Sequence, residues 1–358
     1  MMEHWKKEPY IPCVSLLFIP IASILLHSTT AKEASECDFF TGQWQVSDEC
    51  PLYSDSSCSF LDKEFNCQKN GRPDSFYTTY RWRPNKCDLQ RFNGKDFLER
   101  NRGKKIMFVG DSLSKNQWFS LTCMLHSSLP QSNYTVINQG DITTFAFMEY
   151  EVNLIYDRNV FLVDVVRESF GRVLDLDSIN GGKLWKGIDV LIFNTWHWWN
   201  RRGLTQPWDF IKTGKEMVKD MDRLVAFGIA LKTWARWIDA SIDPENVTVF
   251  FQGISPTHYN GSLWDQPQAT TCEEETQPVE GSVYPGGLPS AVAVLKSVVA
   301  NMSNPVTLLD VTLLSLLRKD GHPSVYGIGG RTGEDCSHWC LPGVPDTWNE
   351  ILYNYMLI

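Results

Sequence analysis

What this 358-residue chain lacks sets its first limits. Positive charge is in short supply: 33 Lys and Arg stand against 42 Asp and Glu, for a net charge of −9. A nucleic-acid partner needs a basic face for its phosphates, and no DNA- or RNA-binding motif occurs, so the composition argues against nucleic acid. Gly-rich phosphate-cradling patterns and CoA-binding motifs are missing, and no bound cofactor is expected. The close pair Cys336 and Cys340, with His338 between them, has no second pair spaced as a zinc ligand set, so no metal is expected either. Internal repeats and low-complexity tracts are absent. No charge-free apolar run reaches the roughly 20 residues of a spanning helix.

The nearest approach to such a run is Ile11 to Leu26, which contains Pro12 and Pro20 and follows Lys6 and Lys7. It suits the apolar core of a signal peptide, with Thr29-Thr30-Ala31 as a small-residue cleavage site. An uncleaved signal-anchor is the alternative, with His27 to Ala31 in the membrane interface and the C-terminus luminal. Residues 1–31 are therefore read as targeting sequence, and this segment as the one point of membrane contact. Both readings deliver the chain to the secretory lumen: secreted if cleaved, a single-pass type II membrane protein if not.

Two features agree with that compartment. Of ten cysteines, five crowd between Cys37 and Cys87, a density that reads as disulfides in an oxidising lumen. Four glycosylation sequons begin at Asn133, Asn246, Asn260 and Asn301. A hydrophobic content of 43% and fourteen tryptophans predict a well-filled core, with some flat faces available to sugars.

The chain divides by texture. Residues 32–100 are rich in Cys, Asp, Asn, Pro and aromatics with little periodicity, and predict a small disulfide-stapled unit. Residues 101–358 alternate apolar runs with amphipathic stretches. Strands are predicted at Ile106–Val109, Thr144–Tyr156 (as two strands or one long hairpin arm), Val160–Val166, Val190–Asn194, Val247–Gln252 and Val306–Asp310. Helices are predicted at Ser114–Leu129, Asp209–Asp239, Pro289–Met302 and Pro345–Met356. The stretch 273–290 reads as an exposed loop. This alternation predicts a doubly wound, mainly parallel α/β sheet with flanking helices, in which ligands sit beyond the carboxyl ends of the strands.

The residues after those strands are polar where a core would not be: Gly110-Asp111-Ser112, Asn194-Thr195-Trp196-His197, and Gly253 through His258. Ser112 follows the first strand and opens a helix whose free N–H groups could face an oxyanion. The local grammar permits either a nucleophile or a helix N-cap. A serine nucleophile needs a base. Four of the seven histidines, at 197, 258, 322 and 338, lie outside the targeting segment and the helix that holds His126. His338 stands out because Asp335 precedes it by three residues in "EDCSHWC", where a carboxylate can orient and stabilise the imidazole.

These blocks resemble the plant trichome birefringence-like proteins, whose catalytic domain is of the SGNH/GDSL esterase type. The resemblance rests on "CDFFTGQW", "NGRPD", "YRWRP", "FVGDSLSKNQW", "FNTWHWW", "ISPTH" and "DCSHWCLPGVPDTWNE", and runs from Cys37 to the C-terminus. It implies Ser112 as nucleophile, His338 as base and Asp335 as its orienter, with Asn194 and Gly140 as oxyanion donors. It also implies the pairs Cys37–Cys87, Cys58–Cys123, Cys67–Cys340 and Cys272–Cys336, leaving Cys13 and Cys50 outside them. Cys50 and Tyr80 depart from the Tyr and Trp expected at their positions. The implied activity is O-acetyl transfer onto wall polysaccharide such as xylan, mannan or pectin, from an acetyl donor acting as co-substrate. An acetylesterase with the same residues and a non-catalytic polysaccharide-binding protein are the alternatives. His197, Trp198 and Arg201 are candidate substrate contacts, and Arg201 with Arg202 could meet an acidic sugar. Arg72, Asp74, Arg81 and Arg83 are read first as holding the N-terminal unit to the catalytic domain.

Overall fold

The computed structural model describes residues 37–328 and 333–357. The predicted targeting segment 1–31 and Cys13 lie outside the described residues. No helix among the described residues is long and apolar enough to cross a membrane.

The N-terminal unit holds one antiparallel pair, β1 (Gly42–Val46) and β2 (Tyr80–Pro84), among turns and short 3-10 segments, and leads into α1 (Gly94–Arg100). The main domain opens with β3 (Lys105–Gly110), α2 (Ser112–Ser128), β4 (Tyr134–Gln139), β5 (Ile142–Phe147) and β6 (Val152–Arg158). β7 (Asp164–Glu168) and β8 (Gly171–Asp175) follow, then β9 (Val190–Phe193), β10 (Phe210–Thr213), β11 (Glu216–Val218) and α3 (Arg223–Ser241). The chain closes with β12 (Thr248–Gln252), α4 (Ser290–Val299), β13 (Thr307–Leu309), α5 (Thr312–Leu316) and α6 (Val344–Leu357).

The seven-stranded sheet runs β13-β12-β9-β3-β6-β5-β4. Its first five strands are parallel, and the β4–β5 hairpin adds an antiparallel edge. β3 alternates as its pleat demands. Ile106 and Phe108 bury against α2 and α6, and Met107 and Val109 bury against α3 and α4. Cover on both faces is why this strand is apolar throughout. Each such side chain contributes roughly 1.5–3 kcal/mol by leaving water. The expected doubly wound α/β architecture is therefore present.

Two predicted elements change. The expected strand Val160–Val166 begins only at Asp164, and it joins a separate sheet of order β11-β10-β8-β7. The cause is local: Asn159 Oδ1 accepts from Leu162 N at 3.0 Å, and Leu162 takes a positive φ of 61°, which turns the chain. The expected helix Asp209–Asp239 starts only at Arg223, because Asp222 caps it with bonds from Leu224 N (2.9 Å) and Val225 N (3.1 Å). Upstream, Gly214 (φ 59°) makes the turn between β10 and β11.

The N-terminal unit shares a core with the main domain: Phe39, Tyr53, Phe65 and Trp82 lie in one apolar cluster with Trp118, Trp339 and Trp348. All four disulfides implied by the resemblance are present, and two of them, Cys58–Cys123 and Cys67–Cys340, tie this unit to the sheet domain. Arg72 donates to the carbonyls of His322 (3.0 Å) and Asp320 (2.8 Å), and Arg81 pairs with Glu350 at 3.0 Å. Arg72 and Arg81 thus have the fastening role expected of them. Cys50 departs from expectation: it too is disulfide-bonded, so the reading that left it outside the pairs is corrected.

Candidate active site

β3 delivers Ser112 to the carboxyl edge of the sheet. A Cβ on Gly110 would lie 2.3 Å from the Asn194 carbonyl oxygen and 2.4 Å from Ser114 Oγ, so only glycine lets β3 pass this close to β9 and still enter α2. Asp111, not Ser112, is the N-cap: its backbone is extended and its Oδ1 accepts from Leu113 N at 2.9 Å. The capping reading of Ser112 is corrected, and its physical reason is that the buried Asp111 carboxylate already serves the helix end. Ser112 is the first helical residue, where its own N–H has no acceptor one turn back.

His338 arrives on a loop fixed from three sides. Cys336 and Cys340 are bonded to Cys272 and Cys67. Asn116, one turn along α2 from Ser112, clamps the residue after His338: Trp339 N donates to Asn116 Oδ1 (2.8 Å), and Asn116 Nδ2 donates to Trp339 O (3.1 Å). The Phe65 ring packs 5.7 Å from the His338 ring. The helix that carries the serine therefore also grips the loop that carries the histidine.

The result is a continuous line. Ser112 Oγ lies 2.6 Å from His338 Nε2, and His338 Nδ1 lies 2.7 Å from Asp335 Oδ2. A carboxylate accepts, so Nδ1 carries the ring proton and Nε2 presents a lone pair to the Ser112 hydroxyl. The other oxygen, Asp335 Oδ1, accepts from Ser337 N (3.0 Å), Ser337 Oγ (2.8 Å) and His338 N (3.0 Å). Burial alone would raise the Asp335 carboxyl, but its bonds to His338 and Ser337 hold it well below the ordinary carboxylate range. Burial likewise pulls His338 down, and the Asp335 bond and charge overcome it, leaving the imidazole above its ordinary value.

Ser112 and His338 open onto a cleft of about 620 Å³. One wall holds Trp196, His197, Trp198 and Arg201, and the other Tyr259, Leu263, Tyr284 and Leu288. His197 Nε2 bonds the Ser255 carbonyl at 2.8 Å, and burial holds its ring below the ordinary value, so it is a neutral wall group. The Arg201 guanidinium stacks on Trp198 at 3.9 Å, and Arg158 approaches the same indole at 5.3 Å. Among the described residues, the lining contains no carboxylate.

Asn194 is buried at the end of β9, beside Gly110, and its Oδ1 has no partner among the described residues. Gly140 is not brought to the site. It sits exposed in the β4–β5 turn with φ 63°, at least two strands from β3 in the sheet order. Its glycine serves that turn. The four sequon asparagines are all exposed. No cluster of three or more metal-ligating side chains occurs among the described residues.

The sequence reading missed the second wall. The stretch taken as an exposed loop, 273–290, buries Tyr284 and lines the cleft through residues 286–290. An aromatic amid Gly and Pro was the one available signal. Arg158 was also missed, because nothing in its local sequence places it over Trp198.

Two family models cover residues 35–355 between them. Residues 89–355 match the model of a GDSL/SGNH-like acyl-esterase family found in Pmr5 and Cas1p, and residues 35–88 match the PMR5 N-terminal domain. The chain is 59% identical to protein trichome birefringence-like 41 of Arabidopsis thaliana, over 98% of this chain and 99% of that protein. It is 52% identical to protein trichome birefringence-like 39 of the same plant, over 90% and 87%. Against protein trichome birefringence, also of Arabidopsis thaliana, identity is 37% over 92% of this chain and 57% of the relative.

Proposed function

Because this chain belongs to the trichome birefringence-like family of GDSL/SGNH-like acyl-esterase proteins, we propose that it is an O-acetyltransferase acting on plant cell-wall polysaccharide through an acyl-enzyme on Ser112. The observation that carries this reading is the unbroken line Ser112–His338–Asp335 at the mouth of a sugar-sized cleft.

In the first half, His338 Nε2 takes the hydroxyl proton as Ser112 Oγ bonds the acetyl carbonyl carbon. The oxyanion forms against the Ser112 N–H and the Asn194 side chain, and the positive end of α2 favours it. His338 then returns the proton to the leaving group, and acetyl remains on Ser112. In the second half, a polysaccharide hydroxyl gives its proton to His338 and bonds the acetyl carbon, and the Ser112 Oγ–carbon bond breaks as the proton goes back. The acetyl donor is the substrate of the first half-reaction and the polysaccharide of the second, and no bound cofactor is needed.

The cleft lining favours an acidic polymer such as pectin over neutral xylan or mannan. Arg201 brings guanidinium charge to a cleft whose described lining holds no carboxylate, with Arg158 near the same Trp198 indole, in a protein that is acidic as a whole. Tyr259 supplies a flat face for a sugar ring beside the Arg201–Trp198 stack. The chain meets this polymer in the secretory lumen or the wall, through the targeting role read for residues 1–31.

Hydrolysis is the second reading, favoured by the family's acyl-esterase character: water in place of the sugar hydroxyl makes an acetylesterase. Incubation of the protein with an acetyl donor and with de-acetylated or acetylated pectin and xylan separates these outcomes by mass spectrometry. Transfer adds acetyl to de-acetylated pectin, and hydrolysis removes it from acetylated polymer. Acetyl movement in neither direction sinks both and leaves a polysaccharide-binding role, which would survive Ser112→Ala.

A further inference from the structure

Behind His338 lies a second pair of histidines that the acetyl chemistry does not use. His258 and His322 are both buried. They form a line of three contacts between two backbone carbonyls. His258 Nε2 lies 2.9 Å from Leu316 O, His258 Nδ1 lies 2.6 Å from His322 Nε2, and His322 Nδ1 lies 2.6 Å from the carbonyl oxygen of His338.

The proton balance of that line does not close with neutral rings. A carbonyl oxygen only accepts, so both outer nitrogens must carry hydrogen. Two neutral imidazoles hold two ring protons, and the outer contacts consume both. The inner nitrogens would then face each other at 2.6 Å as two lone pairs. One more proton turns that repulsion into a short, charge-assisted hydrogen bond.

We propose that the His258–His322 pair is a buried monocation, with one shared proton bridging the two rings, and that it is a positioning group for His338 through that residue's carbonyl.

The surroundings fit a delocalised cation. The Trp339 indole stacks on His322 at 4.1 Å and 24°, which presents a π face to the positive ring. Trp264, and Tyr284 from the loop that forms the second cleft wall, close on His258. The charged groups nearby are already matched: Arg318 with Asp320, Lys319 with Glu275, Arg72 with Asp74, and His338 with Asp335. Burial opposes the charge and pulls both rings below their ordinary value, while the Leu316 and His338 carbonyls pull back. The extra proton is therefore held at lower pH and released as pH rises, and its release costs the line one of its three bonds.

A positive charge here and one on His338 disfavour each other, and His338, which holds its proton to higher pH, takes up its charge first. This consequence rests on His338 being the base; the proton count does not. His258→Gln tests it, because an amide NH₂ donates to both Leu316 O and His322 Nε2 and supplies the missing hydrogen without charge.

Ring ¹H–¹⁵N spectra of the full chain labelled in histidine, recorded between pH 4 and pH 7 and assigned with His258→Gln and His322→Gln, should show a third ring N–H proton on the pair at the acid end. Two ring protons throughout that range overturn the proposal, whether or not any acetyl substrate turns over. With an active acetyl assay, His258→Gln should keep kcat and leave the acid limb of kcat/KM in place, because that limb follows His338 above its ordinary value while the pair gains its extra proton only at lower pH. A limb that moves upward overturns this order of protonation, and a lost kcat in a folded variant overturns the neutral replacement on which it rests.

Discussion

Ser112 and Ser120 stand on the same helix, and each hydroxyl lies 2.6 Å from the next group of a polar line. At Ser112 an imidazole intervenes before the carboxylate of Asp335. At Ser120 the hydroxyl meets the buried Asp346 directly, beside the Tyr53 hydroxyl (2.8 Å) and Gly343 N (2.8 Å). The two carboxyls shift in opposite directions. Burial pushes Asp346 up to about 7 in spite of three donors, whereas His338 and Ser337 hold Asp335 well below the ordinary range. Neutral donors only partly offset the loss of water around a carboxylate, while a ring that can take up charge reverses the sign. The first line can therefore cycle a proton at neutral pH, and the second is a structural knot between α2 and α6.

The largest effects should break this contrast at its reactive end. Ser112→Ala should lower turnover by at least about 10³-fold with the melting temperature and polysaccharide affinity unchanged, since the acyl bond has nowhere to form. Calorimetry and the acetyl assay check both halves of that statement. Asp335→Asn should cost on the order of 10⁴-fold, because an amide in place of the carboxylate favours the wrong His338 tautomer. Wild-type kcat/KM should fall on the acid side with an apparent value above 6.5, since His338 must be neutral to accept and its partner holds the proton on.

The structural end should respond in stability instead. Ser120→Ala should leave turnover intact and cost roughly 1–3 kcal/mol in denaturant unfolding, because Asp346 and Asn349 Nδ2 lose a shared partner. The smallest effect is a slope. Asp346 is raised in the folded protein, so the native state holds its proton more tightly than the unfolded chain, and stability falls as pH rises from about 3.8 through about 7. Asp346→Asn should flatten that fall, seen as a smaller loss of melting temperature between pH 5 and pH 8.

These contrasts show how far local pattern reaches. The apolar run before Gly110 reads as a strand covered on both faces because such strands have no wet side to mark with polar residues. Asp335 and His338 read as a pair because three residues keep them on one turn. Asp222 and Leu162 defeat the same reasoning, since a cap bond and a positive φ override periodicity within one or two residues. Gly140 misleads for a similar reason: a glycine required by a hairpin turn looks the same in sequence as one that opens an anion site. The second cleft wall stays hidden because Tyr284 and Leu288 gain their meaning from strands far away in the chain.

The sequence by itself determined the strand–turn–helix that presents Ser112, the Asp335–His338 pair, and the sheet's mainly parallel character, because backbone sterics and hydrophobic periodicity act over a few residues. Only the tertiary structure decided that Ser112 and His338, 226 positions apart, meet at 2.6 Å. It also decided that Asp111 rather than Ser112 caps the helix, and that two more histidines line up behind the site. Such distances follow from packing and disulfide closure of the whole chain, which no local pattern encodes.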